Sequence, residues 1–306
     1  MNSRESDISV IVPLYNHKRY VVAALDSVLC QSVRPREIIV IDDGSNDGSF
    51  ELVQRMYRNE KGLILWTKPN SGAHHSINAG IHRATSSNIA ILNSDDVYEP
   101  GRLQKCLELL ESDHAADVIC TELSFIDDEG KKIRNKWYEQ ARDYYVRNGD
   151  LSIALINGNF SMTTSNFVVR RSAFERYGYF GKFRYAHDIA FLLRVLRLGG
   201  IVHFDTTPLL QYRIHKANTI GEGVLKVKVE LAAVIAEHIV GVCQSGGGVL
   251  NKDYMMMLYE VLDRHNLSRM IFPFIATMSV KSLSGIGVDD LLADEELSRF
   301  MLAIAQ

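Results

Sequence analysis

Apolar and polar positions repeat one pattern four times in the first hundred residues. Ile8-Ser9-Val10-Ile11-Val12-Pro13 is rich in β-branched residues and stopped by proline, which predicts a first, central strand. Tyr15-Asn16-His17 follows as a loop. Tyr20, Ala23, Ala24, Leu25 and Val28 then fall at helical spacing, which predicts a helix over about 19–30. Glu37-Ile38-Ile39-Val40-Ile41 reads as a second buried strand that runs into Asp42-Asp43-Gly44-Ser45, with an amphipathic helix over 50–58. Leu63-Ile64-Leu65-Trp66 is a third strand, leading through Asn70-Ser71-Gly72 to a helix over about 75–83. Ile89-Ala90-Ile91-Leu92 is the fourth, and it ends abruptly in Asn93-Ser94-Asp95-Asp96.

Strand and helix in strict alternation imply an α/β fold with a mostly parallel sheet flanked by helices. Right-handed crossovers bring the four polar strand ends to one rim, and ligands of open α/β sheets collect at that rim. Two acids where a strand leaves the core are costly unless paired, hydrated or bound to a cation. A polar turn with Asp95 or Asp96 capping the next helix satisfies them as well. The rim has neither a G-x-x-x-x-G-K-[ST] loop nor a G-x-G-x-x-G after the first strand, which argues against a P-loop nucleotidase and a dinucleotide dehydrogenase. An anionic ligand would then need neutralisation by a cation on oxygen ligands, and magnesium or manganese suits carboxylates with phosphate oxygens.

Further along, a helix is predicted over 102–110, and strands over 117–120 and 123–126 with Asp127-Asp128-Glu129-Gly130 as a solvated hairpin turn. Residues 138–150 are polar and aromatic with no clear period, which predicts a loop over the cleft. A strand is expected over 165–170 and a helix through Phe174 to Tyr177. A strongly apolar helix begins near Phe183 and carries Asp188 in its first turn, where a carboxylate can cap the helix or serve as a general base. Strands are expected over 201–204 and 209–215, with His215 at the exit as a solvated loop residue or a metal ligand.

The composition shifts after residue 220, which divides the chain into 1–220 and a helical region over 221–306. Val224, Val227, Leu231, Val234, Ile235 and Ile239 form a packing stripe, Ser245-Gly246-Gly247-Gly248 a break, and 252–265 a helix whose Met255, Met256 and Met257 read as adaptable core. The apolar stretch 269–278 fits burial, a contact between subunits, or a membrane interface.

Of the 306 residues, 46% are hydrophobic and 23% charged, as in an ordinary globular protein, and the net charge of −3 gives no reason to expect nucleic acid. The four cysteines lie far apart without C-x-x-C spacing, so a reducing, cytoplasmic setting is expected. The first seven residues are polar, and no run of 18 apolar residues occurs.

Val10-Ile11-Val12-Pro13-Leu14-Tyr15-Asn16, Ile41-Asp42-Asp43-Gly44-Ser45, Asn70-Ser71-Gly72 and Asn93-Ser94-Asp95-Asp96, in this order, resemble glycosyltransferase family two. Arg170-Arg171-Ser172-Ala173-Phe174, Gly178-Tyr179-Phe180, His187-Asp188 and Tyr212-Arg213-Ile214-His215 continue the resemblance, which covers about residues 7–220. It implies a GT-A fold, Rossmann-like, and an inverting transferase that uses nucleotide-diphospho-sugars. Pro13, Leu14 and Tyr15 would cradle the base, and Asp42 would bond its edge. Asn70, Gly72 and Asn78 would lie near the nucleotide and its phosphates. Ser94 and Asp95 would approach the donor, Arg213 would belong to the substrate site, and Asp96 with His215 would hold the cation. Asp188 would be the catalytic base. Trp137, Tyr138, Tyr144 and Tyr145 would be available for stacking on sugar faces.

Three positions depart from the family pattern. Ser94 removes one carboxylate from the metal motif, His187 stands where a glutamate is frequent, and His74-His75-Ser76 stand where an arginine is often found. The expectation is a metal-dependent inverting glycosyltransferase (hexosyl or N-acetylhexosaminyl) in surface polysaccharide or glycan synthesis, using manganese or magnesium. It would move a sugar, from UDP in the first instance, to a saccharide, lipid-linked or polymer acceptor. Contact with the inner face of the membrane and self-association are expected roles of the C-terminal helices. A degenerate fold member acting as a binding module and a nucleotidyltransferase are the rivals.

Overall fold

The computed structural model describes residues 6–216, 218, 224–244, 252–281, 288–293 and 295–304. The expected break at 245–248 lies outside them. Contacts divide the chain into two compact units, each drawn from three segments. One comprises Met1–Arg134, Ser161–Phe180 and Gly200–His215; the other comprises Asn135–Phe160, Gly181–Gly199 and Lys216–Gln306.

The first unit holds the whole sheet. Its strands are β1 (Ser6–Leu14), β2 (Pro35–Asp42), β3 (Leu63–Thr67), β4 (Asn88–Ile91), β5 (Val97–Tyr98), β6 (Ala116–Ile126), β7 (Lys132–Ile133), β8 (Val168–Arg170) and β9 (Ile201–Arg213). Their order is β3-β2-β1-β4-β8-β6-β9-β5, with β7 beside β6. Strands β1 to β4 pair in parallel, as the alternation predicts. The sheet as a whole is mixed, because β8 runs antiparallel between β4 and β6, and β5 antiparallel on β9. Strands β1 and β2 are buried along nearly their whole length, so their continuous apolar runs have no polar face. Helices α1 (Val21–Leu29), α2 (Ser49–Met56), α3 (Ala73–Arg83) and α4 (Arg102–Ser112) flank the sheet. Helix α3 approaches through Gly80: a Cβ there would stand 2.6 Å from Ile11 and 2.9 Å from Ile41.

Two pairs of expected strands are single long ones. Glu122 interrupts the apolar run of β6, and register shifts on either side of it absorb the irregularity as a bulge against β9. In β9 the polar stretch at 205–207 looks like a break, but Asp205 accepts the Thr207 N–H at 2.8 Å and the strand continues.

The second unit is helical. The stretch 138–150, expected as a loop, is instead mostly helix α5 (Lys136–Asn148), which a short turn joins to α6 (Leu151–Asn157). Asn135 caps α5 by accepting the Tyr138 N–H, Asp150 caps α6 by accepting the Ile153 N–H, and Gly149, at φ 74°, makes the left-handed turn between them. Only Tyr138 and Ala141 of α5 are buried, so its apolar stripe is too thin to register as a period. In the first unit, α7 (Arg171–Tyr177) follows β8. The second unit continues with α8 (His187–Arg197), α9 (Val224–Gln244), α10 (Lys252–Arg264), α11 (Ser268–Lys281), α12 (Val288–Ala293) and α13 (Glu295–Ile304). In α10 the buried stripe is Tyr254, Leu258 and Val261, while Met255 and Met256 are exposed, contrary to the core reading of the methionines. Helix α11 packs against α9, and Met270, Ile271, Phe274 and Met278 of its apolar stretch are buried, while Phe272 is 71% exposed. No helix among the described residues is long and apolar enough to cross a membrane.

Candidate active site

Hydrogen bonds join the exits of the four parallel strands into one rim. The Leu14 carbonyl at the end of β1 accepts the Asp43 N–H at 2.8 Å, and the Asp42 carbonyl accepts the Lys68 N–H at 3.0 Å. Asn16, held at φ 53°, donates its N–H to Ser45 Oγ and accepts the Asn46 N–H on its side chain, both at 2.9 Å. Asparagine tolerates that left-handed conformation better than most residues. The fourth exit joins through His17, whose Nδ1 lies 2.8 Å from Ser94 Oγ.

The same loop brings His17 toward the acids. Asp95 Oδ2 lies 3.0 Å from His215 Nε2 and 3.8 Å from His17 Nε2. One ligand atom from each of His17, Asp95 and His215 falls within 4.8 Å of the others, a spacing at which a single cation could be held. Two imidazole nitrogens and one carboxylate oxygen are a donor set for a divalent transition ion, and manganese accepts it more readily than magnesium, which prefers oxygen alone. Burial pushes the Asp95 carboxyl up, but the facing His17 and His215 outweigh it and hold it below the usual carboxylate range. Tyr20 backs the cluster, its ring 4.8 Å from that of His215 and its hydroxyl bonded to Asp128.

Asp96 and Arg213 are differently placed. Asp96 is 1% exposed; its Oδ2 accepts the Ser165 hydroxyl at 2.6 Å and its Oδ1 the Arg213 N–H at 3.0 Å. Burial and the neighbouring Asp95 charge raise its carboxyl well above the ordinary value. Thus the oxygen that faces the two imidazoles belongs to Asp95, and Asp96 ties the β4 exit to β9. The Arg213 side chain, buried, donates to the carbonyls of Asp95 (2.8 Å) and Asp127 (3.0 Å) and lies over the Tyr20 ring. It fastens the loop from behind.

Of the residues assigned to the donor, Tyr15 is 46% exposed at the rim, while Pro13, Leu14 and Asp42 are buried. Asp42 accepts the Thr67 hydroxyl at 2.7 Å and the Ser45 N–H at 3.2 Å, shaping its own turn. Asp43 accepts the N–H groups of Ser71 (3.0 Å) and Gly72 (2.8 Å) and pairs with Lys68, so it orders the segment that carries Asn70. Gly72, at φ 94°, starts α3. Asn78 clasps Phe180 at both ends of its amide, donating to the carbonyl at 2.9 Å and accepting the N–H at 3.1 Å.

Asp188 belongs to the second unit, in the first turn of α8, and is 6% exposed. Its Oδ2 accepts from Asn159 Nδ2 at 2.9 Å and its Oδ1 from the Ile189 N–H at 2.8 Å. Burial outweighs these bonds and raises its carboxyl to about 6, a value suited to taking a proton near neutrality. Burial also lowers the adjacent His187 to about 4, so that imidazole is neutral and adds no charge beside the acid. Among the four expected aromatics, Tyr138 is buried, Tyr145 stacks on Phe160 and Tyr144 lies under Arg264; Trp137 is 49% exposed.

His17, Ser165 and Asn159 fall outside the residues that the sequence singles out. His17 carries the same signal as His215, an imidazole at a strand exit on the rim. Ser165 and Asn159 carry none, because long-range packing alone brings them to their acids.

The chain is similar along much of its length to known proteins. The family model described as glycosyl transferase family 2 matches residues 9–178, more than half of the chain. Hyaluronan synthase of Pasteurella multocida is 27% identical over 226 residues, which are 69% of this chain and 22% of that protein; this chain therefore spans about a fifth of that relative. The solved structure of S. aureus TarS 1–349 in complex with UDP superposes with a TM-score of 0.62 at 19% identity, over 84% of this chain and 71% of that one. The same protein in complex with UDP-GlcNAc gives 0.59 at 15% identity, over 91% and 92%. These structural likenesses establish the shared fold. The chain belongs to glycosyl transferase family 2.

Proposed function

We propose that the protein transfers a sugar from a nucleotide-diphosphate donor, a UDP-sugar, to a hydroxyl of a saccharide, lipid-linked or polymer acceptor, with inversion at the anomeric carbon. The observation that carries this reading is the convergence of His17, Asp95 and His215 beside Ser94 at the ends of β1, β4 and β9. The relatives support it: the TarS structures hold UDP and UDP-GlcNAc, and hyaluronan synthase is a polysaccharide synthase by name.

In this reading His17, Asp95 and His215 would hold the cation, with Asp96 bracing the loop behind them, and a cation held there would supply positive charge toward the leaving diphosphate. Tyr15, Asn70 and Gly72 line the nucleotide side of the rim. Asp188 removes the proton from the acceptor hydroxyl as its oxygen attacks the anomeric carbon. The new carbon–oxygen bond forms on the face opposite the breaking one, whose electron pair leaves on the diphosphate oxygen. The proton ends on Asp188.

Ser94 and His187 depart from the family pattern and keep a binding-module reading open to test. Thermal shift against a UDP-sugar panel with and without manganese, followed by donor hydrolysis, separates the two. Manganese-dependent stabilisation and turnover are expected; no nucleotide binding and no turnover with any donor would favour the binding module.

A further inference from the structure

The loop before α8 is held by a residue outside the segment that the family model matches. Ala186, at the start of α8, offers no side-chain cap. Instead the Glu230 carboxylate, from α9, accepts three consecutive main-chain N–H groups: Arg184 at 3.0 Å, Tyr185 at 2.7 Å and Ala186 at 3.1 Å. Three amides aimed at one carboxylate fix the direction in which the chain enters the helix. Two residues after the last of these amides comes Asp188, whose own carboxylate is oriented by Asn159 and Ile189.

We propose that Glu230 is a positioning residue for the reaction, and that α9 serves the active site by clamping the 184–186 turn so that Asp188 meets the acceptor hydroxyl in one orientation. This rests on the reading of Asp188 as the base. It gives the C-terminal region a catalytic task, through one side chain. A second α9 residue provides the control. Glu237 accepts from Arg197 at the far end of α8, through its side chain at 3.4 Å and its main-chain carbonyl at 2.8 Å, so changing its side chain perturbs that end of α8 without touching the turn.

The test is steady-state hydrolysis of a UDP-sugar with manganese by the full chain and its Glu230→Ala, Glu230→Gln, Glu237→Gln, Asp188→Asn and Glu230→Ala/Asp188→Asn variants, with amide exchange over 183–190. Displacing a reacting group by about 1 Å can cost on the order of 100-fold. Glu230→Ala is expected to lower kcat by about 10- to 100-fold with donor KM and UDP-induced thermal shift unchanged, and to speed exchange at 184–186. Glu230→Gln, which keeps an acceptor oxygen, should recover part of the rate. Glu237→Gln should retain kcat, and Glu230→Ala should cost nothing further in an Asp188→Asn background. Unchanged kcat in Glu230→Ala while Asp188→Asn is inactive would overturn the proposal, as would equal losses in Glu230→Ala and Glu237→Gln. Full turnover by Asp188→Asn would overturn the base assignment, and the proposal with it.

Discussion

Asp95 in the sheet unit and Asp188 in the helical unit are both acids withdrawn from water, and their surroundings push them opposite ways. Asp95 faces two imidazoles, and its carboxyl is held below the ordinary range. Asp188 faces an amide and a main-chain N–H, both neutral, and its carboxyl rises to about 6. Burial acts alike on the two; the charge of the neighbours decides. An acid that stays ionised among nitrogen donors suits a cation, whereas one that can gain and lose a proton near neutrality suits a base.

Removing the acid that exchanges the proton should have the largest effect. Asp188→Asn should lower donor turnover by about 10²- to 10⁴-fold while UDP and manganese still raise the melting temperature, as a thermal-shift series would record. The acid of the sheet unit should fail differently. His215→Ala or Asp95→Asn should weaken manganese binding by at least about 10- to 100-fold, the range seen for lesser perturbations of metal sites. Manganese EPR titration measures this without turnover, and His17→Ala should weaken binding in the same assay.

A smaller effect concerns stability. A carboxyl raised from 3.8 to about 6 favours the fold fully below its unfolded value and loses that contribution as pH rises through about 6. Asp188→Asn should therefore be more stable than the parent at pH 7.5, by up to about 3 kcal/mol, because each tenfold change in proton affinity is worth about 1.36 kcal/mol. His187, lowered from 6.5 to about 4, contributes in the reverse sense: its share is complete above 6.5 and is lost as pH falls toward 4. The two slopes oppose each other in the parent, so the variant should lose stability between pH 6.5 and 4 more steeply. Urea unfolding across that range checks the sign.

The smallest change touches neither acid. Gly80→Ala should destabilise the sheet unit by about 1–3 kcal/mol through overpacking on Ile11 and Ile41. It should leave the apparent pKa of turnover unmoved, as calorimetry and a pH–rate series would show.

Legibility in the sequence differs between the units for one physical reason. Strands β1, β2 and β4 stand out because both their faces are buried, leaving unbroken apolar runs that end in polar turns. Helices α5 and α6 do not, since few of the α5 side chains are buried and the caps Asn135 and Asp150 look like loop residues in isolation. Asp95 and His215 can be read as rim residues from strand ends. The choice between Asp95 and Asp96 cannot: adjacent residues point apart, and only the long-range bonds from Ser165 and from the main chain of Arg213 reveal which acid faces inward. Likewise the Glu230 clamp joins residues more than 40 apart in sequence, with no local pattern to mark it.

A carboxyl tuned by burial, Asp188, takes the proton in the proposed sugar transfer. The decisive measurement is the pH dependence of UDP-sugar hydrolysis with saturating manganese, for the parent and for Asp188→Asn. The parent rate should rise with pH and be half-maximal near 6, with turnover lost at every pH in the variant, which still binds UDP. An Asp188→Asn variant that follows the parent's curve would contradict this assignment.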